Sequence, residues 1–71
     1  MPSVGSDDVA RVARKLGWQF DRRRGSHEVY KKDGVAESLV IVANKKDLKR
    51  GTLGSMLRTM GLTLEDFERL R

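Results

Sequence analysis

Apolar residues recur at helical spacing in two long stretches of the chain and in a third, shorter one. In each long stretch they fall at positions i, i+3, i+4 and i+7, which places them on one side of a helix. The first set is Val9, Val12, Ala13 and Leu16, the second is Leu53, Met56, Leu57 and Met60, and the shorter set is Leu64, Phe67 and Leu70. The pattern predicts two amphipathic helices and a short last helix.

Residues that begin or end helices flank these stretches. The expected caps of the two long helices are Ser6 and Thr52, and the expected stops are Gly17 and Gly61. Two acids follow Ser6, where the positive end of the helix dipole favours them. Glycine can adopt the left-handed conformation that ends many helices. Thr63 and Asp66 have the spacing of a capping box for the last helix.

The pattern between the two long helices is that of β-strands. Residues 18–21 alternate apolar and polar, residues 26–32 contain a second strand, and residues 38–43 form a third that is rich in β-branched side chains. The dipeptide Asp33-Gly34 predicts that the second strand folds back antiparallel into the third. Apolar residues on both faces favour a central or well-covered position for the third strand.

The order of elements is therefore α-β-β-β-α with a short C-terminal helix, which belongs to the α+β class. A three-stranded antiparallel sheet with helices on one face gives a two-layer sandwich, a topology used by double-stranded-RNA-binding domains. Residues 1–71 are expected to form a single domain, with residues 1–5 flexible. Met56 and Met60 are expected in its core. Trp18 and Phe20 are expected there too, with stacking on nucleobases as the alternative.

Basic residues are concentrated in one part of the chain. The net charge is +5, but residues 11–50 hold twelve Lys and Arg against five Asp and Glu, a surplus of +7. Such a segment points to a polyanion, most often nucleic acid. The alternative is a solvated surface that keeps the protein soluble.

Several classes of protein are disfavoured by composition. The chain has no cysteine and one histidine, so disulfides are excluded and a zinc site is not expected; no metal or other cofactor is predicted. The longest apolar run, residues 39–43, is too short to cross a bilayer. The first residues lack the charged and apolar parts of a signal peptide. The expectation is a soluble cytoplasmic protein.

The candidate for chemistry is the stretch Arg22-Arg23-Arg24-Gly25-Ser26-His27. Guanidinium groups suit phosphate, and histidine can accept and donate a proton near neutral pH. Because neighbours on a strand point to opposite faces, no more than two of the three arginines are expected to reach one ligand. Gly25 and Ser26 either approach a phosphate or form a plain hairpin turn. An exposed, inert histidine is the alternative for His27.

Further basic residues are candidates for RNA binding. They are Lys31 in the second strand and, after the third strand, Lys45, Lys46, Lys49 and Arg50. These side chains either contact an acidic ligand or remain solvated.

Four segments carry a resemblance to a known family. They are Lys-Leu-Gly-Trp at 15–18, Arg-Gly-Ser-His at 24–27, Leu-Lys-Arg-Gly-Thr-Leu at 48–53 and Gly-Leu-Thr-Leu-Glu-Asp-Phe at 61–67. In this order and at these separations they resemble the HicA (YcfA-like) toxins, the ribonuclease halves of toxin–antitoxin pairs. The resemblance runs from about Val9 to Leu70.

The resemblance implies a double-stranded-RNA-binding-like fold, cleavage of mRNA without a metal, and a catalytic histidine that maps onto His27. It also implies a HicB-type antitoxin, which covers the active site and whose DNA-binding part represses the operon. One departure stands out. Many relatives carry a Pro-x-His segment after the third strand, where this chain has Ile41-Val42-Ala43.

The expected function is therefore that of a toxin that acts as a metal-independent endoribonuclease on mRNA. RNA supplies its own nucleophile, the 2′-hydroxyl, so the enzyme needs a base, cations for the phosphate and an acid for the leaving oxygen. His27 can make one proton transfer at a time. Water, Tyr30, Glu28 or a lysine must make the other. The alternatives are a non-catalytic RNA-binding module of the same fold and a chain that mainly docks to another protein.

Overall fold

The computed structural model describes residues 3–71, which form three helices and a three-stranded sheet. In chain order the elements are α1 (Ser6–Lys15), β1 (Gln19–Arg24), β2 (His27–Lys31), β3 (Leu39–Val42), α2 (Arg50–Met60) and α3 (Leu64–Leu70). The predicted α+β class and the α-β-β-β-α order with a short last helix are confirmed.

The sheet is antiparallel and has the order β1-β2-β3. The antiparallel pairing of β2 with β3 is confirmed, but the expected central or well-covered position of β3 is wrong. β2 is the central strand, and Val40 of β3 remains 44% exposed on the face without helices. Its β-branched residues reflect strand propensity rather than burial on both sides.

β1 is longer than the sequence pattern indicates. All three arginines of residues 22–24 belong to the strand, and only Gly25 and Ser26 form the turn. Phe20 pairs with Tyr30 and Arg22 pairs with Val29, so Asp21 is an extra residue in β1, a β-bulge.

The core lies between one face of the sheet and the helices. Leu39 and Ile41 of β3 are fully buried there. The helices contribute Val9, Val12, Ala13, Leu53, Met56, Leu57 and Phe67. This arrangement is the expected two-layer sandwich, and it leaves the second face of the sheet free of helices.

The four predicted core residues have different outcomes. Met56 is buried and Met60 packs against the core at its margin, as expected. Trp18 is also buried, with 2% of its surface exposed. Phe20 is 55% exposed, so its predicted burial is wrong. It lies on an edge strand, and its ring meets that of Tyr30 edge to face with centroids 5.7 Å apart.

The start of α1 differs from the prediction by one residue. Gly5 is the N-cap, and its N–H donates to a carboxylate oxygen of Asp8 at 2.9 Å. The Ser6 hydroxyl, predicted as the cap, instead donates to the Val42 carbonyl at 2.6 Å and accepts from the Lys45 N–H at 2.9 Å. A Cβ on Gly5 would lie 3.0 Å from the Lys45 carbonyl oxygen, so a side chain there would collide with backbone.

The ends of the two long helices agree with the prediction. Gly17 and Gly61 both have positive φ, +97° and +74°, in the region open to glycine. Beyond Gly17, the Trp18 N–H donates to the Ala13 carbonyl at 3.0 Å, which closes the helix end.

α2 begins before the predicted cap, Thr52. Lys49 is the N-cap and gives no side-chain hydrogen bond. The preceding Leu48 is buried and its N–H donates to the Val4 carbonyl at 2.8 Å, so tertiary contacts set where this helix begins. Within α2, Gly54 costs the helix roughly 0.5–1 kcal/mol relative to alanine.

The capping box of α3 is confirmed. The Asp66 N–H donates to the Thr63 hydroxyl at 3.0 Å, and the Thr63 N–H donates to the Asp66 carboxylate at 3.1 Å. The bond from the Thr63 N–H to the carboxylate is the main cause that lowers the pKa of Asp66. Two peptide N–H groups that the helix itself leaves without partners are thereby satisfied.

The residues before α1 are packed against the domain as far as the structure describes them. Val4 belongs to the core, and the Ser3 carbonyl accepts a hydrogen bond of 2.6 Å from Arg71. The expected flexibility of residues 1–5 stays a prediction, and Met1 and Pro2 lie outside the described residues.

Asp8 predicts a pH-dependent contribution to stability. The bond from the Gly5 N–H, assisted by the nearby Arg71 and Arg11, holds the pKa of Asp8 below its usual range. Because the folded pKa is depressed, the stabilisation is complete above the unfolded value and is lost as the pH falls through the folded value. We expect Asp8→Ala to lower the free energy of unfolding by roughly 1 kcal/mol near neutral pH.

Urea unfolding of both proteins measures this difference. The gap between wild type and variant should shrink as the pH falls through the lowered folded pKa of Asp8, until the carboxyl is protonated in both states. A gap that stays constant throughout this fall in pH would contradict the role given to the ionised carboxylate.

Candidate functional site

The candidate site lies on the face of the sheet that the helices leave uncovered. In β2, His27 and Val29 alternate with Glu28 and Tyr30, and Tyr30 packs into the helix-side core. Side chains two residues apart on a strand share a face. His27 and Val29 therefore point away from the helices, and His27 is exposed.

A shallow hollow of about 310 Å³ surrounds His27 on this face. We call it the open-face hollow. Its lining consists of Arg22, Arg24, His27, Val29, Ser38 and Val40. The strand register brings these residues together, because Arg24 pairs with His27, Arg22 with Val29, and Val29 with Val40. Two arginines and one histidine thus share a hollow with the apolar side chains of Val29 and Val40.

The bulge in β1 determines which arginines reach the hollow. Without the extra residue, alternation from Phe20 would turn Asp21 and Arg23 to the open face. With it, Arg22 and Arg24 face the hollow. Two of the three arginines line the hollow and Asp21 does not, while their contact with a ligand stays a prediction.

The three arginines have different partners. Arg22 pairs with Asp21 at 2.6 Å on the exposed surface, and Arg23 donates through Nε to the Gly25 carbonyl at 2.8 Å. Within residues 3–71, Arg24 has no ion pair and no side-chain hydrogen bond. Arg24 is therefore the guanidinium most available to an anionic ligand.

The turn that carries His27 is anchored to β3. Gly25 has a φ of +61°, which glycine adopts without strain. The Ser26 carbonyl accepts a hydrogen bond of 2.7 Å from the Ala43 N–H. This bond continues the pairing of β2 with β3 by one residue beyond His27 and Val42.

Glu28 and Tyr30 lie on the other side of the sheet from His27. The Tyr30 hydroxyl donates to a Glu28 carboxylate oxygen at 3.4 Å. Burial raises the pKa of Tyr30, and the Glu28 carboxylate raises it further. Two of the four candidates for a second proton carrier are therefore placed away from His27, which leaves water or a lysine.

The other predicted RNA-binding residues are divided among separate surfaces. Lys31 follows Val29 by two residues in β2, so it shares the face of His27. Lys45 and Lys49 line a depression that also includes Val42, the residue opposite His27. Asp47 lines the same depression, so the loop after β3 places two lysines and one acid beside the strand that pairs with β2.

Lys46 and Arg50 are not brought to His27. Lys46 lies in a depression at the start of α1 together with Asp7 and Asp8. Arg50 is the first residue of α2 and lines an apolar hollow of about 390 Å³ between α2 and α3. That hollow is formed by Arg50, Leu53, Gly54, Leu57, Arg58, Leu62 and Leu64, and we call it the α2–α3 hollow.

Some lining residues escaped the sequence analysis. Ser38, Val29 and Val40 line the open-face hollow but were read only as parts of strands. These residues lie beside the arginines because of the bulge in β1, and no local sequence pattern predicts that bulge. The signal for the α2–α3 hollow was available in Gly54, a glycine inside a predicted helix.

Two searches of the described chain gave negative results. Residues 3–71 contain no cluster of three or more His, Cys, Asp or Glu side chains arranged to hold a metal ion. No helix among them is both long enough and apolar enough to span a bilayer.

Comparison with known proteins gave one family. The family model described as the HicA toxin of bacterial toxin–antitoxin systems matches residues 6–62, which include the whole sheet and the two long helices. No curated protein matches the chain.

Proposed function

The chain belongs to the HicA family of toxins from bacterial toxin–antitoxin systems, and we propose that it is an endoribonuclease that cleaves mRNA with His27 as its proton-transfer group. The observation that supports this proposal is the open-face hollow. There an exposed imidazole shares one lining with Arg22 and Arg24, and Arg24 is its direct partner on the neighbouring strand. This is the combination that transfer of a proton beside a phosphate requires.

The proposed reaction is attack by the 2′-hydroxyl of the RNA on its own adjacent phosphorus. As the base removes the hydroxyl proton, the 2′-oxygen forms a bond to phosphorus and the bond to the 5′-oxygen breaks. The leaving 5′-oxygen takes up a proton, so the products are a 2′,3′-cyclic phosphate and a 5′-hydroxyl. His27 makes one of these proton transfers.

Arg22 and Arg24 act on the phosphate in this proposal. Negative charge increases on the phosphate oxygens as the fifth bond to phosphorus forms, and fixed guanidinium groups stabilise that charge. Arg24 has the larger part because it has no competing partner among the described residues, whereas Arg22 is paired with Asp21. Lys31, Lys45 and Lys49 extend the cationic surface along the RNA backbone.

The second proton transfer falls to water or to a lysine. Glu28 and Tyr30 are on the helix side of the sheet, and neither can reach a phosphate held in the open-face hollow. No metal ion is required for this chemistry, because the substrate carries its own nucleophile.

We further propose that the antitoxin is of HicB type and covers the open-face hollow. A partner with acidic groups would complement Arg22 and Arg24, and it would exclude RNA from His27. Inhibition would then result from occupation of the site.

A non-catalytic RNA-binding module is the second candidate, and one observation favours it. Ala43 stands where many relatives have a histidine, and it is buried beside the turn that carries His27. Purified protein incubated with RNA in the presence of EDTA separates the two candidates. Fragments with cyclic phosphate ends support the nuclease, whereas binding without fragments supports the module.

Loss of the imidazole tests the role of His27. We expect His27→Ala to reduce the rate of RNA cleavage by about 10²–10⁴-fold, the usual contribution of one acid–base group, and to abolish growth inhibition. The melting temperature should change little because the side chain is exposed. Wild-type toxicity in a folded variant would contradict the assignment.

The arginines offer a matched comparison. In a His27→Ala background that prevents cleavage, Arg22→Ala and Arg24→Ala should each reduce the salt dependence of single-strand RNA binding by about 0.7 in the slope of log K against log salt. Arg23→Ala is the control, since Arg23 is tied to the Gly25 carbonyl on the other face. Equal losses for all three would show that RNA does not select the open face.

Tyr30→Phe tests the proposal that Tyr30, on the helix side of the sheet, takes no part in proton transfer. The variant removes only the hydroxyl, which bonds to Glu28 away from His27. We expect its cleavage rate to equal that of the wild-type protein in single-turnover measurements. A fall as large as that expected for His27→Ala would show that Tyr30 takes part in proton transfer.

A further inference from the structure

The α2–α3 hollow belongs to the helix layer and is separate from the open-face hollow. Its lining shares no residue with the lining around His27. The helices cover one face of the sheet, and His27 lies on the other. Whatever occupies the α2–α3 hollow therefore does not compete directly with RNA at His27.

The lining of this hollow combines an apolar floor with a basic rim. The leucines of the floor come from α2, the connection and α3, and Leu64 remains 44% exposed. The only charged residues of the lining are Arg50 and Arg58, and no acid belongs to it. Neither arginine makes an ion pair with another residue in the part of the chain that the structure describes.

Gly54 lines the hollow, and neither packing nor backbone conformation requires a glycine at this position. A Cβ at this position would meet only the flexible end of Arg58, at 4.0 Å. Its backbone does not adopt the left-handed conformation that requires glycine. A glycine inside a helix weakens it without benefit to the folded chain here. The missing side chain leaves the hollow open at this point of its lining.

We propose that the α2–α3 hollow binds an acidic segment of the antitoxin that inserts apolar side chains between α2 and α3. Apolar side chains fit the leucine floor, and carboxylates fit the two unpaired arginines at the rim. A protein segment suits this lining better than RNA, because the floor is apolar and only two cations are present. The proposal rests on the toxin–antitoxin family and is independent of the ribonuclease activity.

This contact adds to any contact that the antitoxin makes at His27. Two linked contacts bind more tightly than either alone, since the second forms at a high effective concentration. It also gives Arg50, which was expected to bind RNA, a different role.

Two leucine substitutions in α2 form a matched test. Gly54→Leu fills the hollow, whereas Gly51→Leu places the same side chain in the same helix, at a position with no neighbouring atom within 4 Å and outside the hollow. The affinity of each variant for the purified cognate antitoxin is measured by calorimetry. We expect Gly54→Leu to bind at least about tenfold more weakly than the wild type, and Gly51→Leu to bind equally well.

RNA cleavage and thermal unfolding of both variants serve as controls. Both should cleave RNA at the wild-type rate, which separates this proposal from that for His27. Equal antitoxin affinity of the two variants overturns the proposal, as does a wild-type chain that does not bind the antitoxin. Loss of RNA binding in Gly54→Leu alone would identify RNA as the occupant and would also overturn it.

A charge reversal at Arg58 provides a second test that does not depend on the folding of Gly54→Leu. Arg58 lies at the rim and is exposed, so Arg58→Glu should fold normally. We expect it to weaken antitoxin binding by about tenfold, with a smaller effect at high salt because exposed charges are screened. Unchanged affinity at low salt would overturn the proposal.

Discussion

The extra residue at Asp21 is the feature on which the candidate site depends. A β-sheet has a side-chain period of two, so a shift of one residue exchanges the two faces of a strand. In β1 this exchange occurs after Phe20. It keeps Phe20 against Tyr30, and it turns Arg22 and Arg24, rather than Asp21 and Arg23, toward His27. The bulge therefore makes the hollow cationic without changing the composition of the strand.

The two faces of the sheet have separate tasks because the domain is small. One face of the sheet, through Leu39 and Ile41, packs against the helices and forms the core. The helices all lie on that side, so none covers the other face. The uncovered face can therefore carry charged residues without affecting stability. This separation explains why substitutions around His27 are expected to change activity and not folding. The α2–α3 hollow uses the remaining surface, on the helix side.

The periodicity of apolar residues was enough to predict the helices. It did not predict the first residues of α1 and α2, which tertiary contacts determine. The apolar spacing located all three helices, and Gly17, Gly61 and Thr63 ended or began them as expected. Ser6 was assigned to the wrong role because its hydroxyl bonds to Val42, thirty-six residues away. The position of Lys49 as N-cap likewise follows from the burial of Leu48. For the candidate site, the local sequence predicted His27 and its arginines but not their arrangement, which depends on strand register.

The single tryptophan is an intrinsic fluorescent probe whose environment is known from the structure. Trp18 is enclosed between the end of α1 and the core, and its indole N–H has no partner in the described structure. Its emission therefore originates in an apolar environment and shifts to longer wavelength only when water reaches the interior. Trp18 belongs to the core cluster and does not line the open-face hollow, so a ligand in that hollow makes no direct contact with the indole. We therefore expect intrinsic fluorescence of this protein to report water entry into the core and not direct contact with a ligand beside His27.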